Sequence, residues 1–324
     1  MKRLIICVLA LGLLGLGLGT PAGAERLNIS VSQFVEHPAL DAVLKGFQDE
    51  IESAGLEVDY AVHNAQANTA ITGQIAQQIA GENPDLVLAI ATPSAQACAQ
   101  VTTKTPHMAR TPLLFSAVTD PLGSGLVNDM DQPGKNITGT SDMTPIDKHM
   151  AMIQTIHPDI QTLGLIYNSG EANSKTLAKL VRQECAKLGI KVQEATAARS
   201  SEVYQAAKSL VGRSQAVYVP TDNTIVSALE SVAKVCTDNN LPLYAADVDS
   251  VPRGAVAALG FDYYEHGRQT GNMAVRILKH GQDPGQMPVE MQKDLKLHIN
   301  LQAARAIGVD IPEDMIQSAE KIYQ

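Results

Sequence analysis

Short apolar runs alternate with amphipathic stretches along this chain, and the alternation occurs in two successive series. In the first, Leu27 to Val31 reads as a strand, and Ala39, Leu40, Val43, Leu44, Phe47 and Ile51 then recur at helical spacing. Leu56 to Val62 reads as a strand, Thr69 to Ala80 as a helix with Ile71, Ile75 and Ile79 on one stripe, and Asp85 to Ala91 as a strand buried on both faces. Ser94 to Val101 is helical, Pro112 to Val118 is a strand, and a polar segment from Thr119 to Lys135 leads to a short extended piece, Asn136 to Gly139. The second series starts after Pro145. A helix to about Ile156 precedes a strand, Thr162 to Tyr167, and a helix, Ala172 to Leu188. Ile190 to Ala195, Ala216 to Val219 and Leu241 to Ala245 are strands, separated by helices over Ser201 to Val211 and Thr224 to Val235. Ala255 to Leu259, a helix from Tyr264 to Lys279 and a strand near Leu295 to Asn300 complete the pattern. Two βα series of similar length predict an α/β protein of two doubly wound parallel sheets.

The first 24 residues follow a different logic. Lys2 and Arg3 precede an uncharged, Gly-rich apolar run from Leu4 to Thr20, and Ala22-Gly23-Ala24 is a small-x-small cleavage pattern. This reads as a secretory signal peptide cut near Ala24-Glu25. Cys7 follows Ile5-Ile6 deep in the apolar run, so no lipid anchor is expected. From Glu25 onward 23 basic residues face 34 acidic ones, a net charge of −11. That charge argues against nucleic acid or an anionic membrane as partner. Cys98, Cys185 and Cys236 remain, an odd number with no framework spacing. Cys185 and Cys236 lie on helices expected on opposite faces of one sheet, so no disulfide is predicted between them.

Open parallel sheets bind ligands at the carboxyl ends of their strands. The tips here are rich in small polar residues. They carry Gln33 to Pro38 with His37, then Thr92 with Ser94, then Ser116, Thr119 and Asp120. In the second series they carry Asn168, Ser169, Glu171, Asn173 and Ser174, then Asp222 and Asn223, and then Asp247. A zwitterion needs such groups: hydroxyls and helix N-terminal N–H groups for its carboxylate, and an acid for its ammonium. Thr92, Ser116 and Thr119 from one sheet and Ser169, Asn173 and Ser174 from the other suit the carboxylate. Asp222 and Asp247 suit the ammonium, with Glu171 next. Ser94, Ser174 and Asn223 fit ordinary helix N-caps equally well. GxSxG, HExxH and P-loop patterns are absent and no metal or cofactor is expected, so the reading is not an enzyme. His149 and His157, eight apart on one helix, are expected to be solvated.

Several of these segments carry a family resemblance. Val35 to Asp41, Ala91-Thr92-Pro93, Phe115 to Pro121, Tyr167-Asn168-Ser169 with Glu171 to Ser174, Pro220 to Asn223, and Gly260 to Tyr264 with Gly267 and Gly271 resemble the tryptophan/tyrosine-type substrate-binding proteins of ABC importers. The resemblance implies a type I periplasmic binding-protein fold, with two lobes joined by three crossovers and closing on a ligand. The implied lobes are 25–143 with about 249–286, and 144–248 with about 287–324. The implied role is a monomeric periplasmic protein handing a small ligand, an amino acid and an aromatic one for choice, to an ABC permease with its ATPase. A sensor module serving a membrane receptor, or an importer component with another small ligand, is the alternative. A sugar is disfavoured, because Trp is absent and Phe scarce.

Overall fold

The computed structural model describes residues 26–324, so the expected signal segment lies outside the described residues. The first sheet takes its strands from β1 (Leu27–Gln33), β2 (Val58–Asn64), β3 (Leu86–Ile90), β4 (Leu113–Ser116), β5 (Ile137–Ser141) and the two-residue β11 (Glu290–Met291). Their spatial order is β11-β5-β4-β3-β1-β2, and every pairing is parallel. Around it lie α1 (Pro38–Ser53), α2 (Thr69–Glu82), α3 (Thr92–Lys104) and the later helix α9 (Tyr263–Leu278). Strand β3 is buried at every position, as a central parallel strand must be when helices cover both faces.

The second sheet is built from β6 (Thr162–Tyr167), β7 (Lys191–Thr196), β8 (Ala216–Val219), β9 (Leu243–Ala245), β10 (Ala257–Gly260), β12 (Lys296–Asn300) and β13 (Lys321–Tyr323). Its order is β13-β12-β10-β9-β8-β6-β7, with β10 and β12 antiparallel. Helices α4 (Ile146–Ile156), α5 (Ala172–Lys187), α6 (Val203–Lys208), α7 (Asn223–Ser227) and α8 (Leu229–Asp238) cover it, and α10 (Leu301–Ala306) and α11 (Glu313–Ser318) follow β12. Side chains alternate along each strand. Leu163, Leu165, Tyr167, Ala216 and Tyr218 face one apolar layer, and Ile166, Val217 and Val219 face the other. Cys185 lies in the first layer and Cys236 in the second, on opposite faces as the crossover argument required.

Both sheets share the core order 2-1-3-4-5, so each has a switch point beside its first strand. The chain passes between them three times, at residues 142–145, 261–262 and 292–295. The second lobe therefore keeps residues up to Gly260, because β10 pairs with β9, and the first lobe resumes at α9 and runs through β11. The expected changeovers at 249 and 286 are thus displaced, since Ala255 to Leu259 was placed with the wrong sheet. The expected helix from Thr224 to Val235 is two helices, because Ala228 leaves helical angles (φ −121°, ψ 29°).

Helices α1 and α9 pack with their backbones in near contact. A Cβ on Gly267 would overlap the Val43 carbonyl, and one on Gly46 would overlap the Tyr264 carbonyl. His149 and His157 are not solvated. Helix α4 lies over the sheet, and each histidine takes a tyrosine hydroxyl from it: His149 Nδ1 with Tyr218 at 2.6 Å and His157 Nε2 with Tyr244 at 2.7 Å. Buried phenol hydroxyls need partners, and these imidazoles supply them. Among the described residues, no helix is long and apolar enough to cross a membrane.

Candidate functional site

A cleft enclosing about 330 Å³ opens between the carboxyl ends of the two sheets. The first lobe contributes His37, Ala39, Leu40, Ala117 and Thr119 to its lining, and the second contributes Asn173, Thr221, Asp222, Asn223, Val226 and Asp247. Asp142 and Tyr263 line it from two of the crossovers. Each lobe offers one or more helix starts. His37 caps α1 ahead of Pro38, and Asp222 caps α7 through Oδ1, which accepts from Ile225 N at 2.8 Å.

Six expected residues thus line the cleft: His37, Thr119, Asn173, Asp222, Asn223 and Asp247. The others lie elsewhere. Ser116 is fully buried and bonds to Thr270 (2.8 Å) and Thr140 (3.2 Å). Thr92 is buried at the start of α3, with its hydroxyl unpartnered. Ser169 is exposed on the turn after β6. Asp120 reaches across the lobes, accepting from Thr176 Oγ1 on α5 at 3.2 Å.

Asn168, Glu171 and Ser174 form a buried network behind the cleft wall. Glu171 accepts from Asn223 Nδ2 (2.5 Å), Thr224 Oγ1 (2.7 Å), Thr224 N (3.1 Å) and, at 3.4 Å, from the amides of Asn168 and Asn173. Asp222 Oδ2 accepts from Asn168 N and Ser174 Oγ, both at 2.6 Å. Burial first, and the Glu171 charge second, raise the Asp222 carboxyl above the ordinary carboxylate range. Asp222 therefore has a fold-stabilising duty that its place at a strand tip did not reveal. None of Ser94, Ser174 or Asn223 is a cap: Ala91, Glu171 and Asp222 hold those positions.

Asp142, Tyr263, Thr221, Ala117, Ala39, Leu40 and Val226 escaped the sequence reading as ligand contacts. Asp142 follows β5 and Tyr263 follows β10, the two strand tips that went unread. Asp142 accepts from Thr119 Oγ1 and from the Tyr263 hydroxyl, each at 2.9 Å. Burial raises its pKa, and it raises that of Asp247 as well. Ala117 adopts a left-handed backbone (φ 53°), and His266 Nε2 accepts its N–H at 3.1 Å. That bond fixes His266 as neutral with its proton on Nδ1, and burial lowers its pKa to about 4. Burial likewise lowers His37 to about 3. Asn173 Oδ1 and Thr221 Oγ1 are buried in the lining without partners. Among the described residues, no group of three or more His, Cys, Asp or Glu could hold a metal ion.

Comparison with known proteins places these features in context. A family model described as ABC transporter substrate binding protein matches residues 28–323. A tyrosine-binding protein of Clostridioides difficile (strain R20291) is 38% identical over 291 residues, which is 88% of this chain and 82% of that protein. An ABC domain from Streptococcus pneumoniae in complex with L-Trp is 32% identical and superposes with a TM-score of 0.85, over 91% of this chain and 99% of that one. The ligand-free, open structure of a substrate binding protein with adhesive properties from Clostridium difficile is 36% identical, yet its TM-score is 0.67, over 92% and 99%. The lobes here are thus arranged more like those of the ligand-bound neighbour than those of the open one.

Proposed function

The chain belongs to the ABC transporter substrate binding protein family, and from that premise we propose that it is the periplasmic component of an importer that captures an amino acid, aromatic by preference, between its closing lobes. One observation carries this reading: a single cleft draws polar groups from both lobes and keeps unpartnered buried acceptors in its wall. Isolated buried polar atoms cost free energy, and a bound zwitterion would satisfy them. His37, Thr119, Asn173, Asn223 and Asp247 are the candidate contacts to the polar head. Leu40, Ala39, Ala117 and Val226 supply apolar surface for the side chain. The similar protein named for tyrosine and the neighbour holding L-Trp support the aromatic preference.

No reaction is part of this proposal. Binding drives a hinge closure about the three crossovers, and the closed form docks on a permease and its ATPase. The protein acts as an exported monomer. A thermal-shift screen of the twenty amino acids tests the reading. At 100 times its dissociation constant a ligand adds about 2.7 kcal/mol of stability. Stabilisation by L-tyrosine or L-tryptophan is expected, and no response to any amino acid refutes the ligand class.

A further inference from the structure

Three carboxylates line the cleft, Asp142, Asp222 and Asp247, and no lysine or arginine does. His37 is neutral there. Arg253, whose field reaches Asp247, commits its guanidinium to Glu230 through bonds of 2.7 and 2.9 Å. The cleft is therefore an anionic site with no internal counter-charge.

The three acids differ in the capacity they have left. A carboxylate offers about four lone-pair sites. Asp222 already accepts three short bonds, from Asn168 N, Ser174 Oγ and Ile225 N. Asp247 accepts two, both from Ser250, through its N (2.9 Å) and its Oγ (2.7 Å). Asp142 also accepts two, both from neutral hydroxyls. Asp142 and Asp247 thus retain acceptor capacity and an uncompensated charge, whereas Asp222 is nearly saturated. Their positions differ as well. Asp142 belongs to the first crossover, and its bond to Tyr263 ties that crossover to the second. Asp247 follows β9 of the second lobe.

Building on the amino-acid reading above, we propose that Asp142 and Asp247 together receive the ligand's ammonium group, Asp142 from the hinge and Asp247 from the second lobe. Asp222 then serves as a structural cap and not as the charge partner. The ammonium supplies donors that both acids lack and neutralises charge at the point where the lobes pivot. A ligand without an ammonium leaves two buried charges uncompensated, and the site discriminates against it for that reason.

Calorimetry on four proteins tests this: wild type, Asp142→Asn, Asp247→Asn and Asp222→Asn. The probes are L-tyrosine and its deamino analogue 3-(4-hydroxyphenyl)propionate. Asp142→Asn and Asp247→Asn should each weaken L-tyrosine binding by roughly 30-fold or more. Asp222→Asn should lower the melting temperature more than the affinity. The deamino analogue should bind wild type at least about 100-fold more weakly than L-tyrosine, and Asp142→Asn should not weaken it further. The analogue measurement needs no variant, so it stands even if a substitution impairs folding. Wild-type affinity for L-tyrosine within about threefold in Asp142→Asn, or equal binding of the two probes by wild type, overturns the ammonium assignment and leaves the amino-acid reading intact. A wild type that binds none of the twenty amino acids overturns both.

Discussion

Thr176→Val removes one hydroxyl from the lobe–lobe contact and leaves the cleft lining untouched. The hydroxyl on α5 donates to Asp120 Oδ2 at 3.2 Å, and Asp120 Oδ1 accepts from Gly123 N at 2.8 Å. Gly123 is what permits this carboxylate position, since a Cβ there would overlap Asp120 Oδ2. Both partners are half-buried, so the bond is partly screened and contributes about 0.5–1.5 kcal/mol, not the larger value of a buried charged bond. When the lobes separate, water replaces it at little cost. The full amount therefore falls on the closed–open equilibrium, and apparent affinity should drop roughly 2- to 12-fold. Valine matches threonine in shape and has similar helix propensity, so the lobe itself should be unaffected. Calorimetry with the amino acid found in the screen, together with stopped-flow dissociation, reads the effect, most of it in a faster off-rate. An unchanged dissociation constant, or a lowered melting temperature of the ligand-free protein, refutes the reasoning.

Three further outcomes are expected. Gly267→Ala drives a methyl into the Val43 carbonyl and should destabilise the protein by about 1–3 kcal/mol or more, seen as a lower urea midpoint; an unchanged midpoint would show that α1 and α9 can separate freely. His37, His149 and His266 are buried with pKa values lowered to about 3, 4 and 4, so the stability they confer is complete above about pH 6.5 and is lost as pH falls toward 4. The cleft acids, with raised values, act in the opposite sense, so the histidine part is isolated with His266→Gln, whose amide oxygen can still accept from Ala117 N–H. Its stability should depend less steeply on pH between 6.5 and 4, and an identical slope contradicts the assignment. Burial pushes the Cys98, Cys185 and Cys236 thiols up to about 12, 11 and 12, so a thiol reagent should find none of them in the native protein and all three in denaturant without reductant.

Periodicity exposed the fold because nearly every strand is either continuously apolar or alternates, and every crossover helix carries an apolar stripe. What it could not see was non-local pairing. Glu290–Met291 joins the first sheet and Lys321–Tyr323 the second in strands too short to show a period. The site was legible as a region but not atom by atom. Asn168, Glu171, Ser174 and Asp222 do come together, yet their hydrogen bonds point mainly at one another, and residue type alone does not say which oxygen faces the ligand. Asp142 was missed because its strand was read only as far as Gly139, leaving the aspartate beyond any recognised tip. His149 and His157 were misjudged because their partners, Tyr218 and Tyr244, are contributed by strands far along the chain.

The close fit of α1 against α9 also sets an order of events during folding. The second lobe's first five strands are consecutive, and their crossovers are local, so its core can collapse as soon as that stretch of chain exists. The first lobe has no such independence. Ala39, Val43 and Phe47 on α1 belong to a core that also needs Met273, Ala274 and Ile277 from α9. That helix arrives only after the chain has traversed the whole of the other sheet through β10, and closing so long a loop slows the step. Until then the half-built lobe holds an unfilled apolar groove, the kind of intermediate that aggregates or recruits a chaperone. The lobe synthesised first is the one completed last.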